Sequence, residues 1–171
     1  MKRILKVTLL AVVLLTSANT FAQTLKLGHI DSSKLLAIMP EKDMAQKQIE
    51  TKAKEFDTQI KAMQAEYQKL VEAYVAERET LSDAIRADRE KAIQDLQNRM
   101  QTFDQFAQNK IQTTRQELLK PIFDKASKAI QEVGEENGFT YVLDLSTGVV
   151  LFNSSSSIDI MPLVKTKLGI Q

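Results

Sequence analysis

Apolar residues recur through the middle of this chain with a single spacing. Ile49, Ala53, Phe56, Ile60, Met63, Tyr67, Leu70 and Tyr74 follow one another in strictly alternating steps of four and three. That is an a/d heptad seam, the pattern that lets one helix supercoil around another. A second seam, Ile93, Leu96, Met100, Phe103 and Ala107, repeats the alternation. The stretch holding both, Glu41 to Lys120, contains no Gly or Pro and is bracketed by Pro40 and Pro121. Because those two residue types break helices most strongly, the stretch is expected to be helical throughout.

One unbroken helix of this length would measure about 120 Å. After Tyr74, however, the seam gives way to charge: Arg78, Glu79, Asp83, Arg86, Asp88, Arg89, Glu90 and Lys91 crowd together. Leu81-Ser82-Asp83 offers side chains able to cap a new helix start. The pattern therefore predicts an antiparallel helical hairpin over 41–120 with its tip near 80–84 and arms about 60 Å long. A single straight helix pairing only with other chains is the alternative.

The flanks read differently. Thr24 to Asp31 reads as a short strand, and Asp31-Ser32-Ser33 supplies capping oxygens for a helical turn over Lys34 to Met39. On the far side, Pro121 is expected to kink or break the helix. Helical spacing resumes at Leu119, Ile122, Ala126, Ala129 and Val133, and ends around Gly134 and Gly138. Phe139–Leu145 and Val149–Phe152 read as two strands of a hairpin turning at Ser146-Thr147-Gly148. Ser154–Ser157 reads as a flexible loop and Leu163–Leu168 as a last short helix. The expected fold class is thus α+β: a small β-rich body from 23–40 and 121–171, and a long coiled-coil arm from 41–120. About seventy residues of head are small for an isolated core, and three strands leave edges exposed. A homo-oligomer joined through the head relieves both problems.

Residues 1–22 combine Lys2, Arg3 and Lys6 with an apolar run from Val7 to Leu15 and a small-residue ending at Ala22, the signature of a cleavable secretory signal peptide. The run is too short to span a bilayer, so a soluble exported protein is expected. Cleavage removes three cations and no acid, turning the formal net charge from +1 to −2. The arm carries 14 basic and 15 acidic residues, which excludes a strong field for nucleic acid and leaves membrane contact only indirect. With no cysteine, disulfide and thiolate–metal chemistry are excluded.

The chain offers little for catalysis. The single histidine, His29, is expected to be a partly buried structural residue. No spacing of Cys, His or acid residues suggests a metal site, and no Gly-rich loop suggests a nucleotide, so no cofactor is expected. Ser154–Ser157 and the carboxylates Glu135 and Glu136 lack catalytic partners; the chain is read as not an enzyme. What remains is an apolar set on the arm: Met63, Tyr67, Val71, Tyr74, Val75, Met100 and Phe106. Its simplest reading is filler between the hairpin helices. Its functional reading is a second apolar face whose Met and aromatic residues repack around varied partners.

Gly28-His29-Ile30-Asp31-Ser32 with Leu35-Leu36 and Pro40, the Gly- and Pro-free heptads, Leu119-Lys120-Pro121-Ile122, Asn137-Gly138-Phe139-Thr140-Tyr141-Val142-Leu143-Asp144 and Ile158-Asp159-Ile160 together resemble the OmpH/Skp family of periplasmic chaperones. The resemblance implies a homotrimer whose strands form a central β-barrel body, with three hairpin arms enclosing a cavity. It also implies an ATP-independent holdase in the periplasm that keeps unfolded outer-membrane proteins from aggregating; on the functional reading of the arm, the seven apolar residues are its expected client contacts. The competing expectation is a structural coiled-coil adaptor or spacer with one folded partner.

Overall fold

Two long helices dominate the protein, and from Glu41 to Lys120 neither Gly nor Pro falls within them. The computed structural model describes residues 25–170; the expected signal peptide at 1–22 lies outside the described residues. The element order is β1 (Leu27–Ile30), α1 (Ser32–Ala37), α2 (Pro40–Glu77), α3 (Asp83–Glu136), β2 (Tyr141–Asp144), a 3-10 turn (Leu145–Thr147), β3 (Ile158–Asp159) and α4 (Met161–Leu168). Among the described residues no helix is long and apolar enough to cross a membrane.

Pro40 opens α2, where its missing N–H costs nothing, and Glu41 and Asp43 favour the positive end of the helix dipole. Helix α2 ends at Glu77, and α3 starts after Ser82. Ser82 occupies the N-cap position, but its side chain makes no capping bond. The turn is closed instead by Thr80, whose N–H and hydroxyl both donate to the Glu77 carbonyl, at 2.9 and 2.8 Å. Contacts between the helices run from Tyr74 with Glu90 near the turn, through Phe56 with Phe103, to Glu41 with Lys125 at the base. Residue numbers thus rise along α2 as they fall along α3.

The expected break at Pro121 does not occur: α3 continues through it to Glu136. A proline inside a helix costs about 3 kcal/mol. Here Pro121 is exposed, while Leu118, Leu119 and Ile122 around it pack into the core, so packing on both sides outweighs the lost donor. Gly134 is likewise no terminator. It lies buried within α3, and the helix stops at the Asn137 cap before left-handed Gly138 (φ 65°).

The expected hairpin is absent. Strand β1 lies in the middle of a three-stranded sheet, order β2-β1-β3, and pairs parallel with both neighbours. The register aligns Leu27 with Tyr141, His29 with Leu143, and Gly28 with Ile158. A two-stranded hairpin needs a tight turn, but after β2 the Asp144 carboxylate accepts the Ser146 N–H at 2.9 Å and winds the chain into a 3-10 turn. The third strand is therefore Ile158–Asp159, reached by the long crossover that parallel pairing requires. Val149–Phe152 is no strand, and Val149, Leu151 and Phe152 stand 82–94% exposed. The small body is an open parallel sheet, not a barrel.

Beneath the sheet, Ile30, Leu35, Met39, Ile160 and Val164 are wholly buried against Ala126, Ala129 and Val133 of α3. Small alanines let α3 approach closely. Gly28 is required for a similar reason: a Cβ there would lie 3.0 Å from Phe139 Cδ1 and 3.1 Å from Ile160 Cγ2. Polar bonds tie the two ends of the chain as well. Asp144 accepts the Ser32 N–H at 3.1 Å and the Ser32 hydroxyl at 2.5 Å. Burial alone would raise this carboxyl, but the bonds from Ser32 and Ser146 outweigh burial and hold it below the ordinary Asp value. His29 is half-buried, as expected, with Nδ1 2.8 Å from Ser157 Oγ, so the end of the serine loop is tethered. Helix α4 starts earlier than expected because Asp159 caps the Met161 N–H at 2.9 Å. It ends at left-handed Gly169, and its Lys167 bridges Glu132 and Glu136 of α3 at 3.1 and 2.6 Å.

Two outcomes follow from this packing. Gly28→Ala forces Phe139 and Ile160 apart and lowers unfolding stability by about 1–3 kcal/mol, measured by urea denaturation. The lowered Asp144 contributes stability that is present above the unfolded value of about 3.9 and is lost as pH falls through the folded value. Asp144→Asn therefore costs about 1–2 kcal/mol at neutral pH and flattens the acid limb of a stability-versus-pH series.

Candidate functional site

A pair of helices can bury only one stripe, so the arm leaves part of its apolar surface uncovered. Along α2, Ala45, Ile49 and Phe56 are buried near the base, whereas Met63, Tyr67, Leu70 and Tyr74 are half-buried further out. Three aromatic rings meet midway. Phe56 lies edge-on to Phe103 at 5.9 Å (73°) and to Phe106 at 6.0 Å (80°), and Phe103 and Phe106 are 6.1 Å apart. Such edge-to-face pairs contribute about 0.5–1.5 kcal/mol beyond burial. Phe56 is 7% exposed and Phe106 is 54% exposed, so one ring anchors the cluster and another faces outward.

Beside these rings opens a groove of about 550 Å³, lined by Met63 of α2 and by Asp95, Asn98, Arg99, Thr102, Phe103 and Phe106 of α3. Of the seven residues expected to form a second apolar face, the fold brings Met63 and Phe106 together here. Tyr67, Val71 and Met100 are half-buried outside this groove. Tyr74 donates its hydroxyl to Glu90; that bond, burial and the nearby negative charge all raise its pKa. Val75 is 67% exposed near the turn. It lies nineteen residues from Phe56, about 30 Å along the helix, so it cannot share a surface with Phe106.

Sequence reasoning passed over Arg99, a rim residue with no apolar signature. It also passed over Phe123 and Met44, both at least half-exposed near the base. Met44 lines a smaller cavity of about 320 Å³ with Leu118, Pro121 and Ile122. Phe123 is adjacent to seam-like Ile122, the one available hint. Among the described residues, no group of three His, Cys, Asp or Glu side chains could hold a metal.

The family model described as outer membrane protein (OmpH-like) matches residues 26–168, covering both flanks of the arm and the arm itself. This chain belongs to the OmpH-like family. The crystal structure of a candidate outer membrane chaperone (OmpH-like) from Caulobacter crescentus CB15 is similar at a TM-score of 0.72 and 18% identity, over 83% of this OmpH-like chain and 82% of the other. At that identity the likeness speaks for the fold. No curated protein sequence matches the chain.

The aromatic cluster separates structural from surface roles. Phe56→Ala lowers stability by about 3 kcal/mol through the cavity it leaves, whereas Phe106→Ser costs about 1 kcal/mol or less. Paired urea titrations followed by far-UV circular dichroism measure the difference.

Proposed function

We propose that this OmpH-like chain is an ATP-independent holdase that binds unfolded outer-membrane proteins in the periplasm and prevents their aggregation. The observation that carries this reading is the arm's separated, partly covered apolar residues: Met63, Tyr67, Val71, Tyr74, Val75, Met100 and Phe106 occur along a slender antiparallel hairpin rather than in one enclosed pocket. Family membership supports it, and so does the fold shared with the candidate chaperone.

Contacts spread along a rod suit a client with no fixed shape. Each buries a little apolar area and contributes about 1 kcal/mol at roughly 25 cal/mol per Å². Many together retain the client, and none holds it so strongly that insertion into a membrane cannot remove it. Near-neutral arms place the holding on apolar contact rather than on net charge.

The working unit is a homotrimer built through the head segments, 23–40 and 121–171. The support is apolar surface without cover: Val149, Leu151 and Phe152, with Tyr141 and Leu143 on the outer face of the sheet, are all exposed within one small body. Strands β2 and β3 are also edges, which proteins ordinarily cover. Three arms rising from one body would enclose a client from several sides.

Light scattering of a denatured outer-membrane β-barrel protein diluted into buffer tests the proposal. The chain is expected to suppress aggregation without nucleotide, and its mass in solution is expected to be that of a trimer. Combining Met63→Ser, Val75→Ser and Phe106→Ser should raise the amount needed for half-protection by about tenfold or more while leaving the mass unchanged, because three contacts worth about 1 kcal/mol each are lost. Full suppression by the triple variant would remove these positions from the client surface. Tight, saturable binding to one folded protein, with no effect on aggregation, would favour the adaptor reading.

A further inference from the structure

The groove beside the aromatic cluster carries a guanidinium that no ion pair among the described residues engages. On the α3 wall, Asp95 is paired with Lys91 at 2.6 Å, and Asn98 Oδ1 accepts from Gln94 at 3.2 Å. The Thr102 hydroxyl donates to the Asn98 carbonyl at 2.9 Å. Among the described residues Arg99 makes no ion pair. Two turns further along α3 Phe106 presents an exposed ring to the same groove, and Met63 closes the opposite side. Lys52 already sits 5.5 Å from the Phe56 ring, so the unoccupied aromatic surface is that of Phe103 and Phe106.

We propose that this groove takes an extended segment of unfolded polypeptide bearing an aromatic residue and, two positions away, an aspartate or glutamate. The inference rests on the holdase reading and names a feature of the clients. Its basis is spacing. Arg99 and Phe103 lie four residues apart on one helix, so they project from the same face about 6 Å apart along the axis. In an extended chain, side chains two residues apart share a face and are about 6.6 Å apart, whereas adjacent ones point in opposite directions. An aromatic ring packed edge-on to Phe103 and Phe106 therefore brings a carboxylate two residues away to the guanidinium. A carboxylate on the adjacent residue points away from it. The guanidinium is always charged and weakly hydrated, and its planar fork matches a carboxylate.

Fluorescence anisotropy with the purified full chain and ten-residue fluorescein-labelled peptides tests this. One peptide contains Phe-Ser-Asp, a second Phe-Ser-Lys and a third Phe-Asp-Ser. The first should bind about threefold to fivefold more tightly than the others, the range an exposed ion pair supplies. Arg99→Gln should abolish the preference, and Arg99→Glu should transfer it to the lysine peptide. Because Arg99 is exposed, both variants should keep wild-type helicity by circular dichroism. Equal binding of the three peptides, or a preference that survives Arg99→Gln, overturns the assignment. So does a change of solution mass in Phe106→Ser, which would make the groove a contact between copies of the chain. Aggregation suppression measured alongside separates the two readings: protection without peptide discrimination leaves the holdase standing and removes the groove, whereas discrimination without protection does the reverse.

Discussion

Four residues, Leu27–Ile30, hold the two halves of this molecule together. Their backbone pairs on one side with Tyr141–Asp144 and on the other with Ile158–Asp159, so chain that precedes the arm and chain that follows it share one sheet. The arm could not fix its own base in this way, because two helices in contact bury a single stripe. Closing a loop of more than a hundred residues costs entropy that rises with the logarithm of its length. Here most of the loop is already stiff, as two helices joined by a short turn, so few joints remain to be ordered. Gly28 permits the approach of Phe139 and Ile160 to the central strand, and Asp144 adds a polar tie through Ser32 to the segment that leads into the arm.

Stability is consequently uneven. The largest wholly buried side chains, Ile30, Leu35, Met39, Ile160 and Val164, all belong to the head. Outward along α2, full burial ends at Phe56, and the turn beyond Glu77 is mostly exposed. A region with few buried contacts opens at low free energy, so the arm can adjust while its base stays fixed. Rigid footing with a compliant, partly apolar extension suits the holding of an unfolded chain better than the recognition of one folded surface. The ion pairs along the arm are mostly exposed pairs within one helix, which contribute little to stability and keep the outer face solvated.

How far all this could be read in the sequence depended on the range of the interaction involved. Helical periodicity, the absence of Gly and Pro from 41–120, the charged interruption near the turn and the capping role of Asp31 are local, and the chain displayed each without its fold. The seam residues could be named because a heptad states which face is inward. Sheet topology could not be named. Tyr141–Asp144 and Val149–Phe152 both have strand composition, yet the first pairs with Leu27–Ile30 and the second pairs with nothing, since the bond from Ser146 to Asp144 diverts the chain between them. Pro121 misled in the same way: its local preference was outweighed by the packing of Leu118, Leu119 and Ile122. The groove was half legible, Met63 and Phe106 through apolar spacing but Arg99 not at all.

By itself the sequence determined a long helical arm, its fold-back point and a cysteine-free composition, because helix formation and chain composition are settled by residues close to one another. The tertiary structure decided that the sheet is parallel and open, that one helix runs from arm into head, and that Met63 of α2 closes the groove lined by Arg99 and Phe106 of α3. Those features depend on which distant segments meet, and a local pattern of side chains does not specify its partner.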